Sequence, residues 1–572
     1  MKKALSFILA LVLIFTCAAP AMAVAGQVEN IPIIILRGDG TQMYVPDENA
    51  SGGYRNIWGD ALNNIESGSV GESVANVLLP FLTEGLLFDK WDNYYQAFYD
   101  EISPIFEELR LDGDGNPRYG SGIHPESIKS NETKRNRDTA KSQGGRYYAN
   151  DYQYVYDWRL DPEDMIDDFH QFILDVMKTT GKKQVALCGT CFGGAYLIAY
   201  LNKYGTQGHI KNVFFNVTVG NSTVLLTDAF CGDIEIDAKA IERFGYQNTE
   251  LESNSFAGLI SSTPLMNEII FSSYDLLAQV GVIDKLGLTF DELYQKIYEG
   301  LVPRLAIAIF ATFPSYWSLV EPERFEEARD FVFKTAGAGF EEEYAGLIEK
   351  INNNYKNVTS RKEEIIEACQ AAGVHFGALA KYGVQMYPFV ESQDQISDEL
   401  VDLEHASFGA TVAKDVLSSF DDTYMAAAKA NGTDKYISPD RQIDASTSLF
   451  KDSLWVVKNA YHDYFVQDYK VIEEFCRNTN FTVNDNPAFP QYFIYIPGSM
   501  DVNPEDGEKD FWSGTVEIMT EENCNLTLWD EMPEGSKEEE PTLTSRLKAL
   551  FRWLASIFQL IKNWFAGEKP AE

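Results

Sequence analysis

The chain has 572 residues, 45% of them hydrophobic and 13% aromatic, enough to bury a large core and more than one ordinary domain requires. Its 47 basic residues against 86 acidic ones give a formal net charge of −39. A surface of that sign repels phosphate backbones, which excludes nucleic acid as a partner class.

The first residues carry Lys2 and Lys3, then an apolar run of about a dozen residues, then the small-residue site Ala21-Met22-Ala23. This pattern predicts an export signal over residues 1–23, so the mature chain is expected to be secreted or held at the cell surface. No later stretch approaches the ~20 consecutive apolar residues that a membrane-spanning helix needs. The mature chain keeps Cys188, Cys191, Cys231, Cys369, Cys476 and Cys524, too sparse for a disulfide scaffold. Its six histidines include no pair at i, i+4, and the single C-x-x-C lacks the second pair of a structural zinc site. Neither a metal nor another cofactor is called for.

In chain order, Ile31 to Leu36 (IPIIIL) reads as a buried strand running into the glycine turn RGDGTQ. Asp161 to Thr179 has helical spacing of Met165, Ile166, Phe169, Phe172, Ile173 and Val176, and precedes the strand KQVALCG. A helix from Cys191 to Tyr204 and a strand from Ile210 follow. Strands alternating with helices in this way predict an α/β fold with a mostly parallel sheet covered on both faces. Residues 221–382 read as a helical cap inserted into that core, whose parts are then 31–220 and 383–480. Val384 to Val390 (VQMYPFV) and Ser453 to Lys458 (SLWVVK) are the predicted strands after the cap, and a helix is expected from His405 through HASFGATVAKDVL. Residues 481–540 read as an acidic extension and linker, and 541–567 as an amphipathic helix.

Gly189-Thr190-Cys191-Phe192-Gly193 joins a strand to a helix in the form G-x-S-x-G, with cysteine in place of serine. Side chains two residues either side of a nucleophile in so sharp a turn would collide with strand or helix, hence Gly189 and Gly193. A thiol there meets the free N–H groups and positive dipole end of a helix, which favour the thiolate. The N–H of Phe192 would face a developing oxyanion. Two other readings stand beside this one: Cys188 and Cys191 as a C-x-x-C redox pair, or both as plain core cysteines.

IPIIILRGDGTQ, VYDWRL (Val155 to Leu160), the elbow and a late Asp/His pair together resemble the lecithin:cholesterol acyltransferase-like α/β-hydrolases, which include phospholipase A2-type enzymes of the lysosome. The resemblance spans most of Ile31 to Phe465 and implies an α/β-hydrolase fold with a helical cap. It places the nucleophile at Cys191, where members use serine, and the oxyanion N–H groups at Phe192 and Asp39. Arg37 stands where the family has proline. Tyr156 to Arg159 are read as sheet edge and pocket wall.

The order of such a triad in the chain is nucleophile, acid, histidine. That leaves His462, just past SLWVVK, and His405 as candidate bases, with His462 in the place where the family's last strand delivers its histidine; either could also be a surface residue. The acid is expected at Asp398, in S-D-E-L-V, a turn resembling the family's D-G-T-V with Glu399 and Leu400 in place of Gly and Thr; Asp402 and Asp394 are the other candidates. Asp421 to Gln442 reads as a surface insertion.

The triad chemistry points to an acyl-cysteine intermediate, and with the export signal the resemblance implies an exported lipid or hydrophobic-ester acyl hydrolase or O-acyltransferase. Readings from other classes are a non-catalytic surface or binding protein that keeps the fold, and a thiol oxidoreductase. Leu543 to Phe565 interrupts the acidic chain with Arg546, Lys548, Arg552 and Lys562, and its apolar positions recur at i, i+3, i+4. It reads either as a helix docked on the core or as a peripheral membrane contact through Arg546, Lys548, Phe551, Trp553, Phe558 and Trp564.

Overall fold

The computed structural model describes residues 31–38, 42–57, 76–125 except 78 and 87, 152–235, 240, 243–244, 290–388, 390–462, 468–478, 480–496 and 515–528. The export signal, Asp39, cap residues 245–289, the acidic linker and the basic amphipathic segment with Arg546, Lys548, Phe551, Trp553, Phe558 and Trp564 lie outside the described residues.

One eight-stranded sheet organises the chain. Its strands are β1 (Ile33–Leu36), β2 (Tyr152–Tyr154), β3 (Val185–Thr190), β4 (Ile210–Asn216), β5 (His375–Tyr382), β6 (Leu454–Lys458), β7 (Tyr492–Ile496) and β8 (Thr515–Ile518). They lie in the order β8-β7-β6-β5-β4-β3-β1-β2. Every neighbouring pair is parallel except β7 and β8. This is the α/β architecture expected from the alternation of strands and helices.

The two-residue period of a strand sends alternate side chains to opposite faces. In β1, Ile34 and Leu36 join one core cluster, while Ile33 and Ile35 join the other. The first face is covered by α1 (Pro162–Thr180) and α2 (Gly193–Tyr204), the second by α4 (Asp468–Arg477). Asp161 caps α1, its carboxylate accepting from the N–H of Glu163 at 2.9 Å, and Gly181 ends it at φ 67°. Residues 193 to 201 of α2 are buried throughout, which is why that helix is apolar on all sides. Each fully buried aliphatic or aromatic side chain in these layers contributes roughly 1.5–3 kcal/mol.

Three boundaries differ from the sequence reading. The strand after the cap is His375–Tyr382, not Val384–Val390, so the last residues assigned to the cap belong to the sheet. HFGALAKY contains no β-branched residue, so it carries little strand signal, and its place is set by burial between β4 and β6. The stretch assigned to the acidic extension supplies β7, which is aromatic-rich, and β8, its antiparallel partner. The helix expected from His405 is a single turn, Leu403–Ala406, ended by Phe408 at φ 55° and Gly409 at φ 86°; Thr411–Val412 then pairs with Ile443–Asp444. The segment read as a surface insertion holds a helix, Asp422–Asn431, with Ala428 as its one buried residue.

Candidate functional site

Cys191 sits in the turn between β3 and α2 with φ 52°, a left-handed conformation that is strained for any residue but glycine. Its neighbours hold it there. The Cys191 N–H donates to the Asn216 carbonyl at 3.1 Å, and the Cys191 carbonyl accepts from Gly194 N–H at 3.1 Å and from Thr218 Oγ1 at 3.1 Å. Both elbow glycines are required by close approach. A Cβ on Gly193 would lie 2.2 Å from the Leu36 carbonyl oxygen, and one on Gly189 would lie 2.9 Å from the backbone of Gly193.

The redox-pair geometry does not form. Cys188 projects into the core cluster on one face of the sheet and Cys191 into the cluster on the other, and all six described cysteines are thiols.

The three candidate acids separate by partner. Asp398 Oδ2 lies 2.9 Å from His462 Nδ1, and the His462 backbone N–H donates to the Asp398 carbonyl at 3.1 Å. Asp402 instead pairs with His405, at 2.6 Å, and Asp394 with Arg243. The Asp398 carboxylate is oriented by N–H donors from Leu400 at 3.2 Å and Val401 at 2.8 Å. That turn needs Glu399 at φ 87°, a conformation suited to the glycine found at this place in the motif it resembles.

Cys191, Asp398 and His462 follow the C-terminal ends of β3, β5 and β6, the edge where parallel α/β sheets place their sites. All three are buried. With Nδ1 engaged by Asp398, the remaining ring nitrogen, His462 Nε2, is buried and forms no aligned hydrogen bond among the described residues. The Cys191 side chain lies close enough to act on the ring. Burial works to keep His462 neutral, but the Asp398 charge, and then Cys191, lift it well above the ordinary imidazole value.

His405 has a different character. Its Nδ1 meets Asp402 at 2.6 Å and its Nε2 meets Glu321 at 3.5 Å, so both nitrogens face carboxylates. Asp402 also accepts from the N–H of Val224, the first residue of α3 (Val224–Cys231). Burial lowers the His405 value, but Asp402, and then Glu321, raise it to about 9. The imidazolium therefore ties the acid turn to the cap and is held protonated. A group raised in the folded state stabilises fully below its unfolded value, about 6.5, and loses that contribution as pH rises through about 9. His405→Gln is expected to lower unfolding stability by ~1.5–3 kcal/mol at pH 6. In urea titrations the difference should narrow markedly by pH 10; a constant difference would contradict the assignment.

The N–H of Phe192 lies at the start of α2, as the elbow requires, while Asp39 falls outside the described residues. The structure adds a residue the sequence reading did not single out: Gly38. A Cβ there would stand 2.9 Å from Cys191 Cβ, 3.2 Å from its Sγ and 3.5 Å from the Phe192 nitrogen. Only the repeated glycines of RGDG hinted at it. Within YDWR, Asp157 and Arg159 form a buried two-point ion pair at 3.0 and 2.7 Å, and Arg159 also donates to the Leu109 carbonyl at 2.8 Å. Trp158 packs edge-on to Phe313 at 5.5 Å. These three are buried framework. Among the described residues, no group of three or more His, Cys, Asp or Glu side chains could hold a metal ion, and no helix is long and apolar enough to cross a membrane.

No family model matches the chain, and the curated proteins contain no match to it.

Proposed function

We propose that this protein is an acyl hydrolase or acyltransferase of the α/β-hydrolase type, with Cys191, His462 and Asp398 as its triad. The observation that carries the reading is the arrangement at His462: Nδ1 on Asp398 at 2.9 Å, the other ring nitrogen buried, and the Cys191 side chain interacting with the same ring. The strained elbow supports it, since φ 52° at Cys191 is kept by a network of hydrogen bonds to its backbone.

Asp398 holds one imidazole tautomer and stabilises the imidazolium. His462 accepts the Cys191 proton, and the thiolate attacks the carbonyl carbon of an ester or thioester, forming a C–S bond while the carbonyl electrons move to oxygen. The N–H of Phe192 bonds that oxyanion. As the tetrahedral species collapses, the bond to the leaving alkoxide or thiolate breaks and His462 returns the proton to it. The acyl group now rests on Cys191 as a thioester. Water or an alcohol, deprotonated by His462, attacks it and releases an acid or a new ester, restoring the thiol.

The substrate class is a lipid or other hydrophobic ester, because the thiol lies within the aromatic and aliphatic cluster that includes Phe192 and Tyr316. In this reading the chain is exported through residues 1–23, and the basic amphipathic segment Leu543 to Phe565 rests on the membrane surface near the substrate. A panel of p-nitrophenyl esters of increasing acyl length tests the function. Turnover that rises from acetyl to longer acyl chains is expected; no turnover of any ester would leave a binding protein with a hydrolase-like site.

A further inference from the structure

We propose that Tyr156 is a positioning residue for the oxyanion side of this site. The proposal rests on Cys191 as the nucleophile. Tyr156 Oη donates to the carbonyl of Arg37, a residue 119 positions earlier in the chain. That carbonyl belongs to the peptide joining Arg37 to Gly38, and Gly38 lies against Cys191 Sγ and the Phe192 nitrogen. The described chain contains no cis peptide, so fixing the Arg37 carbonyl also fixes the opposed N–H of Gly38.

The phenol ring is itself held firmly. Tyr156 is buried, with the Tyr196 ring at 4.3 Å and the Tyr154 ring stacked at 6.4 Å. Tyr196 is anchored in turn, its hydroxyl donating to the Leu160 carbonyl at 2.8 Å and the Asp157 carbonyl at 3.2 Å. Tyr156 thus transmits the rigidity of the α2 and YDWR framework to the Arg37–Gly38 peptide. Its hydroxyl acts through the Arg37 carbonyl. Its effect falls on the placement of backbone donors, where a displacement near 1 Å lowers a rate by about 10²-fold.

Tyr156→Phe removes the hydroxyl and keeps the ring. In the full mature protein, kcat for a p-nitrophenyl ester is expected to fall about tenfold to a hundredfold, with KM within about twofold. Alkylation of Cys191 by iodoacetamide should keep its wild-type rate, because a thiolate displacing iodide builds no oxyanion. The split between the two reactions is the signature of positioning. Unchanged kcat, or kcat and alkylation falling together with the thermal midpoint, would overturn the proposal and leave Tyr156 a packing residue. Wild-type protein in the same assay reports on the underlying reading separately: if it shows no Cys191-dependent turnover, the nucleophile assignment fails, and the positioning role with it.

Discussion

Cys191→Ala and His462→Ala are each expected to lower kcat for ester turnover by about 10⁴-fold or more, and the double variant should be no slower than the worse single one. Nucleophile and base act as one unit, so removing either already removes the path through the thioester. The structure separates His462 from His405 on physical grounds. His462 has one nitrogen on a carboxylate and the other turned to no aligned partner among the described residues. His405 has both nitrogens facing carboxylates, Nδ1 to Asp402 at 2.6 Å and Nε2 to Glu321 at 3.5 Å, so its ring is committed to the acid turn and the cap. His405→Ala is therefore expected to change stability rather than the chemical step. Parallel kcat measurements on the four variants check this, and full activity in His462→Ala would remove the triad.

The second large effect is on folding. In Gly193→Ala the new methyl would stand 2.2 Å from the Leu36 carbonyl oxygen and 2.8 Å from its carbon, both backbone atoms of β1 that no rotamer change can move. Either the elbow opens or β1 shifts in the sheet, at an expected ~3 kcal/mol or more of stability, and turnover is lost with the elbow. Gly339→Ala is the matching control. It lies in the helix Ala338–Glu343 with nothing within 4 Å of the added methyl, so it should stabilise by roughly 0.5–1 kcal/mol. Chemical denaturation of the two variants gives the comparison, and equal small effects would mean that the elbow tolerates a side chain.

The elbow was readable in the sequence because its constraint is local: two glycines at fixed offsets from the cysteine answer to two close approaches. Helix α1 was readable for the same reason, with cap, apolar stripe and terminal glycine all in one window. Strand β5 was not, because Gly377, Ala378 and Ala380 have low strand propensity and owe their place to the strands on either side. Strand β7 was hidden by the acidic composition around it. The acid was a matter of pairing across 64 residues, which no local pattern encodes, and the structure divides Asp394, Asp398 and Asp402 among Arg243, His462 and His405. Gly38 escaped notice because its constraint is the Cys191 side chain, more than 150 positions away.

The central claim is that acyl groups pass through Cys191, and trapping that intermediate tests it most directly. The mature protein would be mixed with a p-nitrophenyl ester, quenched in acid within the first turnovers, digested and mapped by mass spectrometry. The mechanism predicts an added acyl mass on the peptide carrying Cys191. That mass should be removed by neutral hydroxylamine, which cleaves thioesters, and it should be missing in Cys191→Ala. Turnover with the acyl mass on a serine, on another cysteine or on no residue would contradict the account.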